Sequence, residues 1–400
     1  MIEIKIKEEC CGCESCVQCC PKHCISFKSD NEGFFYPIAD REICIVCGLC
    51  EKVCPILNPM QERMPLQVLA AKNLDNEIRL TSSSGGIFTL FAEHTIKACG
   101  VVFGARFNDK WEVVHDCTET TDGIALFRGS KYVQSRIGDV YLKAEQYLKA
   151  GREVLFSGTP CQIAGLKRFL RKEYENLTTV DFLCHGVPSP KVWNSYLKET
   201  FARKCKKIQF CISPYAKCNL LVKKIAFRDK TLGWKKYSFV LALSALSKSG
   251  EKNTVLFRES KYKNLYLRAF LRNLILRPSC YCCKFKGFSS GSDLTIADFW
   301  SINKDLPHTN DHKGHSLCFV NTERGKCIVT QCVKYSHQLD LEPIYNGNLT
   351  IKESAKQHKN RRAFFDELSN GKSVRRLIKK YATVSLRKQI HLIVAEILGN

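Results

Sequence analysis

Eight cysteines in the first 54 residues have the type and spacing to do redox chemistry. Cys10, Cys13, Cys16 and Cys20, followed by Pro21, fit C-x2-C-x2-C-x3-C-P, and Cys44, Cys47, Cys50 and Cys54, followed by Pro55, fit it again. Three thiolates on one short loop can face three irons of one cubane, while the fourth points away to a second cube. The pair of matches therefore predicts two [4Fe–4S] clusters with crossed ligation. Cys10, Cys13, Cys16 and Cys54 hold one, and Cys44, Cys47, Cys50 and Cys20 hold the other. Gly12 and Gly48 are expected to let the loops wrap closely, and each proline to end its loop. Zinc ribbons use cysteine pairs rather than quartets. Cys11, Cys19 and Cys24 are surplus to the pattern and read as small apolar side chains packed beside the clusters.

These residues need a scaffold, and the pattern divides the chain. Residues 1–58 read as an α+β, ferredoxin-like 2[4Fe–4S] module. A Pro/Met/Gln-bearing stretch follows from Asn58 to Gln67. Residues 68–150 and 151–335 form the two parts of an α/β body with a more β-rich C-terminal half, and residues 336–400 form a basic helical tail. Strand-like VLAAKN, VVFGARF, WEVVHD, EVLFSG and TTVDFLC alternate with helix-like stretches at Gly86–Gly100, Val140–Gly151 and CQIAGLKRFLRKEY. Such alternation argues for partly parallel strands. KKIQFCIS, VKKIAFRDK, YSFVLAL and DLTIADFW read as further strands, with a helix at Lys261–Leu276 between them.

The chain has 400 residues, 44% hydrophobic and 25% charged, which is ordinary for a soluble globular protein. Its opening, MIEIKIKEEC, has no apolar signal region, and no run approaches the ~18 apolar residues of a membrane span. Clustered cysteines then read as redox sites in a cytoplasmic protein rather than as disulfides, though the chain has 24 cysteines in all. The net charge of +23 is uneven: residues 1–60 carry −3 and residues 201–280 carry +16. That asymmetry suits a solvated surface, or a docking face for an acidic redox protein. A membrane contact through Lys352–Lys388 is the weaker reading, and no motif supports nucleic acid. Self-association is left open.

Further motifs follow in order: TSSSGGIFT (Thr81–Thr89), GSKYVQS (Gly129–Ser135), LFSGTPCQIAGLK (Leu155–Lys167), VDFLCHGVPSP (Val180–Pro190), LRPSCYCCKFK (Leu276–Lys286), SDLTIADFW (Ser292–Trp300) and KGHSL (Lys313–Leu317). Over about residues 1–330 the chain resembles the family of coenzyme F420 hydrogenase/dehydrogenase beta subunits, in its form with an N-terminal ferredoxin domain. The resemblance implies FAD, an iron–sulfur cluster within the α/β body and hydride exchange with a deazaflavin or other acceptor; the substrate does not transfer with the fold. Ser83, Ser84, Gly85 and Gly86 ahead of a helix suit a phosphate seat. With Ser130 and Lys131 as a second anchor, and with the resemblance, they are the expected FAD site. Cys161 and Cys184 follow neighbouring strands at their carboxyl ends, where α/β sheets place sites. With Cys280 and Cys283 they make the expected third [4Fe–4S] site. Alternatives stay open: Cys161 as a reactive thiol, Cys184 as core, and Cys280, Cys282 and Cys283 as zinc ligands. His185 and Asp298 are the candidate proton-handling groups. Family members usually carry a basic residue just before the SD of SDLT; this chain has FSSGSD (Phe288–Asp293), which puts an anion contact there in doubt.

The resulting expectation is an iron–sulfur flavoprotein oxidoreductase. Electrons from a ferredoxin or another redox protein pass through the clusters to FAD and on, as hydride, to an unidentified small organic acceptor. The alternative is a non-catalytic electron-transfer subunit serving a partner enzyme.

Overall fold

A computed structural model describes residues 1–212, 220–246 and 252–383. Its strands are β1 (Ile25–Ser29), β2 (Phe35–Ala39), β3 (Gln67–Ala71), β4 (Val101–Phe107), β5 (Val113–Thr118), β6 (Val154–Ser157), β7 (Leu177–Phe182), β8 (Leu220–Asp229), β9 (Ser238–Leu246), β10 (Lys252–Ser260), β11 (Leu294–Asp298), β12 (Ser316–Val320) and β13 (Ser336–Leu339). They form a β1–β2 hairpin, a three-stranded sheet in the order β10-β9-β8 and a mixed sheet in the order β13-β3-β12-β11-β7-β6-β4-β5.

The centre of the large sheet is parallel: β4 pairs with β6, β6 with β7, and β7 with β11. Its strands are mostly buried on both faces, as a sheet covered on both sides requires, and β7 carries polar Thr178, Thr179 and Asp181 into that interior. Alternation decides which neighbour each side chain meets. Val102 and Leu155 pack with Ile87, Phe91 and Ala92 of the helix Ile87–Lys97 on one face. Phe103 and Phe156 point the other way. They meet Tyr141, Ala144 and Leu148 of the helix Val140–Lys149 and Ile163, Leu166 and Phe169 of the helix Pro160–Leu170.

The chain divides into two compact units, residues 1–190 with 276–356 and residues 191–275 with 357–400. The first holds the cysteine-rich module and the large sheet. The second builds its core from Trp193, Tyr196, Phe227, Phe239 and Tyr266, whose ring centroids lie 5.0 to 6.5 Å apart. There Glu199 accepts from Ser373 Oγ and from the amides of Val374 and Arg375, holding the start of the helix Val374–Tyr381.

Three local expectations change. KKIQFCIS is not a strand: through Ile212 it is the last part of the helix Pro190–Ile212. Extending a helix already nucleated is easier than starting a strand, and this overrides the β-like composition. The helix expected over Lys261–Leu276 is confined to Leu265–Leu271. Asn264 caps its start, and Asn273, at φ 58°, takes the left-handed turn that ends the segment. The C-terminal stretch forms Leu341–Gly347, Leu349–Lys352, Arg361–Ser369 and Val374–Tyr381, while HLIVAEIL lies outside the described residues.

Candidate redox centres

The two cysteine quartets repeat one backbone path. After the first cysteine of each, the second residue on takes a left-handed conformation: Gly12 at φ 74° and Val46 at φ 53°. After the second cysteine the next residue does so again, Glu14 at φ 62° and Gly48 at φ 73°, and each caps a one-turn helix, Ser15–Gln18 or Leu49–Lys52. Gly12 and Gly48 therefore do not occupy matching places, as their shared role in the motif had implied. Each copy spends its glycine on a different one of the two turns. At Gly12 space as well as φ demands glycine, since a Cβ there would lie 2.6 Å from Gln134 Nε2 and 2.8 Å from Arg277 Nη1.

The quartets assemble in crossed sets. Cys20, Cys44, Cys47 and Cys50 line one recess of about 340 Å³, open solvent included, with Cys24, Ile25, Val46 and Leu49. Cys47 is exposed there, so this recess is the outward end of the module. Cys10, Cys13, Cys16 and Cys54 form the other set. Burial pushes the Cys16 thiol well up, and Cys13, Cys10 and Cys54 are near enough to push it further. Cys54 is pushed up to about 11 by burial, again with Cys13 and Cys10 beside it. Among the described residues no group of three or more His, Cys, Asp or Glu closes around a single metal ion. Buried thiols grouped around a larger space fit a cluster, whose iron supplies the positive charge that deprotonation needs.

A cavity of about 730 Å³, open solvent included, lies in the body. Cys161, Cys184, Cys280 and Cys283 all line it, as do Cys11 and His185. Thus the four cysteines from distant segments do come together. Each is positioned by a loop or turn: Cys161 in the first turn of Pro160–Leu170, Cys184 just beyond β7, and Cys280 and Cys283 at a short turn opened by Pro278. Burial pushes Cys184 well up, with Cys280, Cys161 and Cys283 as charged neighbours, and pushes Cys280 up to about 12. Cys282 is exposed and is not part of the cavity lining. Asp298 ends β11 opposite Ser316, and it is not among the cavity's lining residues.

The module is seated on the body by polar groups absent from the motif reading. Arg277, fully buried, donates to the carbonyls of Cys10 and Phe35 and to Gln134 Oε1 at 2.8 to 3.0 Å. The buried Glu14 carboxylate accepts from Arg136 Nε and from the amide of Ile137, both at 2.9 Å. Gln18 Oε1 accepts from the amide of Tyr141 at 3.0 Å, and Ser15 Oγ donates to the Gly165 carbonyl at 2.9 Å. Gly165 is required there: a Cβ would lie 2.8 Å from Cys13 Cβ and 3.1 Å from its sulfur. Cys11, surplus in the motif, joins the two cysteine groups. It packs with Cys13, Ala164 and Phe285, against which Cys161 and Cys283 also lie. Cys24 Sγ sits 3.3 Å from Cys20 Sγ.

The Ser/Gly loop starts a helix as expected, with Gly86 at its N-cap. Its hydroxyls are spent within the protein. Ser84 Oγ donates to the His315 carbonyl, and Ser83 Oγ accepts from the amide and hydroxyl of Ser130. Gly85 packs so closely that a Cβ would lie 2.7 Å from the Ala71 carbonyl oxygen. Lys131 donates to the carbonyls of Arg128 and Gly129, has no carboxylate partner among the described residues, and is pulled down to about 7 by burial of its ammonium. His115 lies near it. Burial brings its ring down to about 4, its Nε2 meets the Ser157 carbonyl at 3.0 Å, and its Nδ1 has no partner among the described residues. An anion at Lys131 fits this chemistry; a cradle of free serine hydroxyls does not. In FSSGSD, where a basic residue was missing, Arg63 from the Asn58–Gln67 stretch donates to the Ser292 carbonyl.

Fold and sites define a protein with three groups of cysteines suited to iron–sulfur clusters. Residues 151–346 match the family described as the C terminus of the beta subunit in coenzyme F420 hydrogenase/dehydrogenase, and this segment belongs to that family. It is 26% identical over 230 residues to the F subunit of F(420)H(2) dehydrogenase from Methanosarcina mazei, covering 52% of this chain and 63% of that protein. Over 53 residues it is 43% identical to Ferredoxin 7Fe of Hydrogenibacillus schlegelii, covering 13% of this chain and 62% of the ferredoxin. The chain thus spans less than two thirds of either curated relative. It also matches a chain of the F420-reducing [NiFe] hydrogenase complex from Methanosarcina barkeri, studied by xenon derivatization. That match has a TM-score of 0.40 and 16% identity, covering 81% of this chain and 93% of that one. No helix among the described residues is long and apolar enough to cross a membrane.

Proposed function

We propose that this protein relays single electrons from a redox protein through two N-terminal [4Fe–4S] sites to a third in the body. Cys10, Cys13, Cys16 and Cys54 hold the first, Cys44, Cys47, Cys50 and Cys20 the second, and Cys161, Cys184, Cys280 and Cys283 the third. One observation carries this reading: Cys13 packs against the helix whose first turn bears Cys161, with Cys11 between the two groups. The three cysteine sets then run in sequence from exposed Cys47 to the interior cavity. When bound, the clusters supply one-electron steps, and a flavin would gather these into pairs. The residues do the rest. Arg277 and Glu14 fix the module's position, Ala164, Phe285 and Ile56 keep water from between the inner sets, and Cys47 leaves the outer set accessible.

FAD as the next carrier, with hydride passed to an organic acceptor, is the finer proposal. Lys131 supports it, as a cation beside the Ser83–Gly86 turn without a carboxylate partner among the described residues. Amides at the start of Ile87–Lys97 would share its load. Anaerobic purification tests both parts. Three cubanes give roughly twelve irons per chain and two give roughly eight. A flavin-free protein carrying twelve irons would retain the relay and remove the hydride step. Such a protein would be the electron-transfer subunit of a partner enzyme.

A further inference from the structure

Asp181 is a carboxylate in an unusual place. It sits near the end of β7, is 2% exposed and lines the same cavity as Cys161, Cys184, Cys280 and Cys283. Among the described residues no cation bonds to its oxygens. Ser290 Oγ donates to Oδ2 and Thr295 Oγ1 to Oδ1, each at 2.5 Å. Those hydroxyls continue into a buried chain. Ser290 Oγ meets Ser292 Oγ at 3.1 Å, Ser292 Oγ meets Thr295 Oγ1 at 3.3 Å, and Asn321 Nδ2 donates to both Ser292 and Thr295. The chain ends on the buried Asn321 Oδ1, an acceptor with no partner among the described residues.

Burying a carboxylate without a paired cation is expensive. A carboxyl held only by hydroxyls has a remedy: hydroxyls rotate, so they can donate to a carboxylate or accept from an acid. The charged groups around it are few. Arg63 faces it from the Asn58–Gln67 stretch and bonds to the Ser292 carbonyl; Asp293, on the same stretch as Ser290 and Ser292, is engaged by Thr179 and Thr322. His185, Lys284 and Lys286 share the cavity wall, and Lys286 donates to the carbonyls of Cys184 and Thr350. An electron entering the cavity adds negative charge with no cation in contact with Asp181, among the described residues, to absorb it.

We propose that Asp181 is the proton acceptor of this cavity, taking one proton from solvent as one electron enters the cluster held there. The proposal rests on the reading of the cavity as the third cluster site. The balance is simple: one electron reduces the cluster, one proton converts carboxylate to acid, and the net charge of the site is unchanged. Burial, opposed by Ser290, Thr295, Ser292 and Arg63, already brings the carboxyl up to about 6 before any electron arrives. Reduction raises it further, so coupling begins near pH 6 and extends upward.

Spectroelectrochemical titration of the holoprotein from pH 5.5 to 8.5 tests this. The third cluster's midpoint potential falls as pH rises, approaching a tenfold change in the reduction equilibrium per pH unit, or 59 mV for one electron. Asp181→Asn abolishes that slope and leaves the potentials of the two N-terminal clusters unchanged. Thr295→Val, which removes one donor from the carboxylate, moves the sloping region to higher pH and guards against a misfolded Asn variant. A pH-independent potential in the wild type, or an unchanged slope in Asp181→Asn, overturns the proposal. Failure of the underlying reading looks different: Cys161→Ser would then leave the iron content and the number of reducible clusters unchanged.

Discussion

The Arg277 guanidinium donates from Nε to the carbonyl of Cys10 at 2.8 Å, tying the body to the first cysteine of the first loop. Its other two nitrogens reach Gln134 and Phe35, and the ring of Tyr36 lies 4.4 Å from its carbon. Removing it strands three acceptors, one buried and two partly buried. Arg277→Met should cost about 3 kcal/mol, read as a lower urea midpoint. Arg277→Lys should recover little, because one ammonium cannot reproduce the planar fork.

Crossed ligation predicts which signals each cysteine controls. Cys20→Ser should remove the cluster of the second loop, and Cys54→Ser the cluster of the first. Each loses roughly four irons per chain. Paramagnetic resonance of reduced samples, compared with Cys47→Ser and Cys13→Ser, separates the two. Matching spectra for Cys20→Ser and Cys13→Ser would show uncrossed loops.

Gly165→Ala tests the contact between module and body. The added methyl meets Cys13 and Ser15 at 2.8 Å, both held by their own bonds. A destabilisation of about 1–3 kcal/mol is expected, with faster loss of iron from the first set. Gly347→Ala has nothing within 4 Å and serves as the control, within about 0.5 kcal/mol of wild type.

His115 gives the fold an acid-sensitive element. Burial lowers its folded pKa to about 4, below the ordinary 6.5. The unfolded chain therefore binds the extra proton first, and stability falls as pH drops from 6.5 towards 4, then levels off. The full effect is about 3 kcal/mol. His115→Gln, which keeps a donor for Ser157, should lose less stability than wild type between pH 7 and 5 in urea titrations. Equal losses would place the acid sensitivity elsewhere.

Much of the fold was legible because local rules and tertiary packing agreed. VVFGARF and EVLFSG became strands since their apolar runs suit a sheet covered on both faces, and TTVDFLC became one beside them with its threonines and Asp181 buried. KKIQFCIS was illegible because its β-like composition was overruled by a helix begun upstream at Pro190. Lys131 was singled out by its motif. His115 was not: one histidine in a strand carries no signal until Phe156 stacks on it and Ser157 meets its nitrogen. Asp181 was hidden in the same way, as its partners lie 109 and 114 residues away.

The sequence by itself marked the cysteine quartets and predicted their crossed ligation, because spacing limits which thiolates on a short loop can face one cluster. It also marked Cys161, Cys184, Cys280 and Cys283, but could not bring them together. Only the tertiary structure placed those four around one cavity and put Cys11 between them and Cys13. It also showed that Glu14, not a glycine, makes the second left-handed turn of the first loop. That turn is held by Arg136 and Ile137, more than 120 residues away. Spacing encodes contacts along the chain, whereas contacts between distant segments are set by how the sheet and its helices pack.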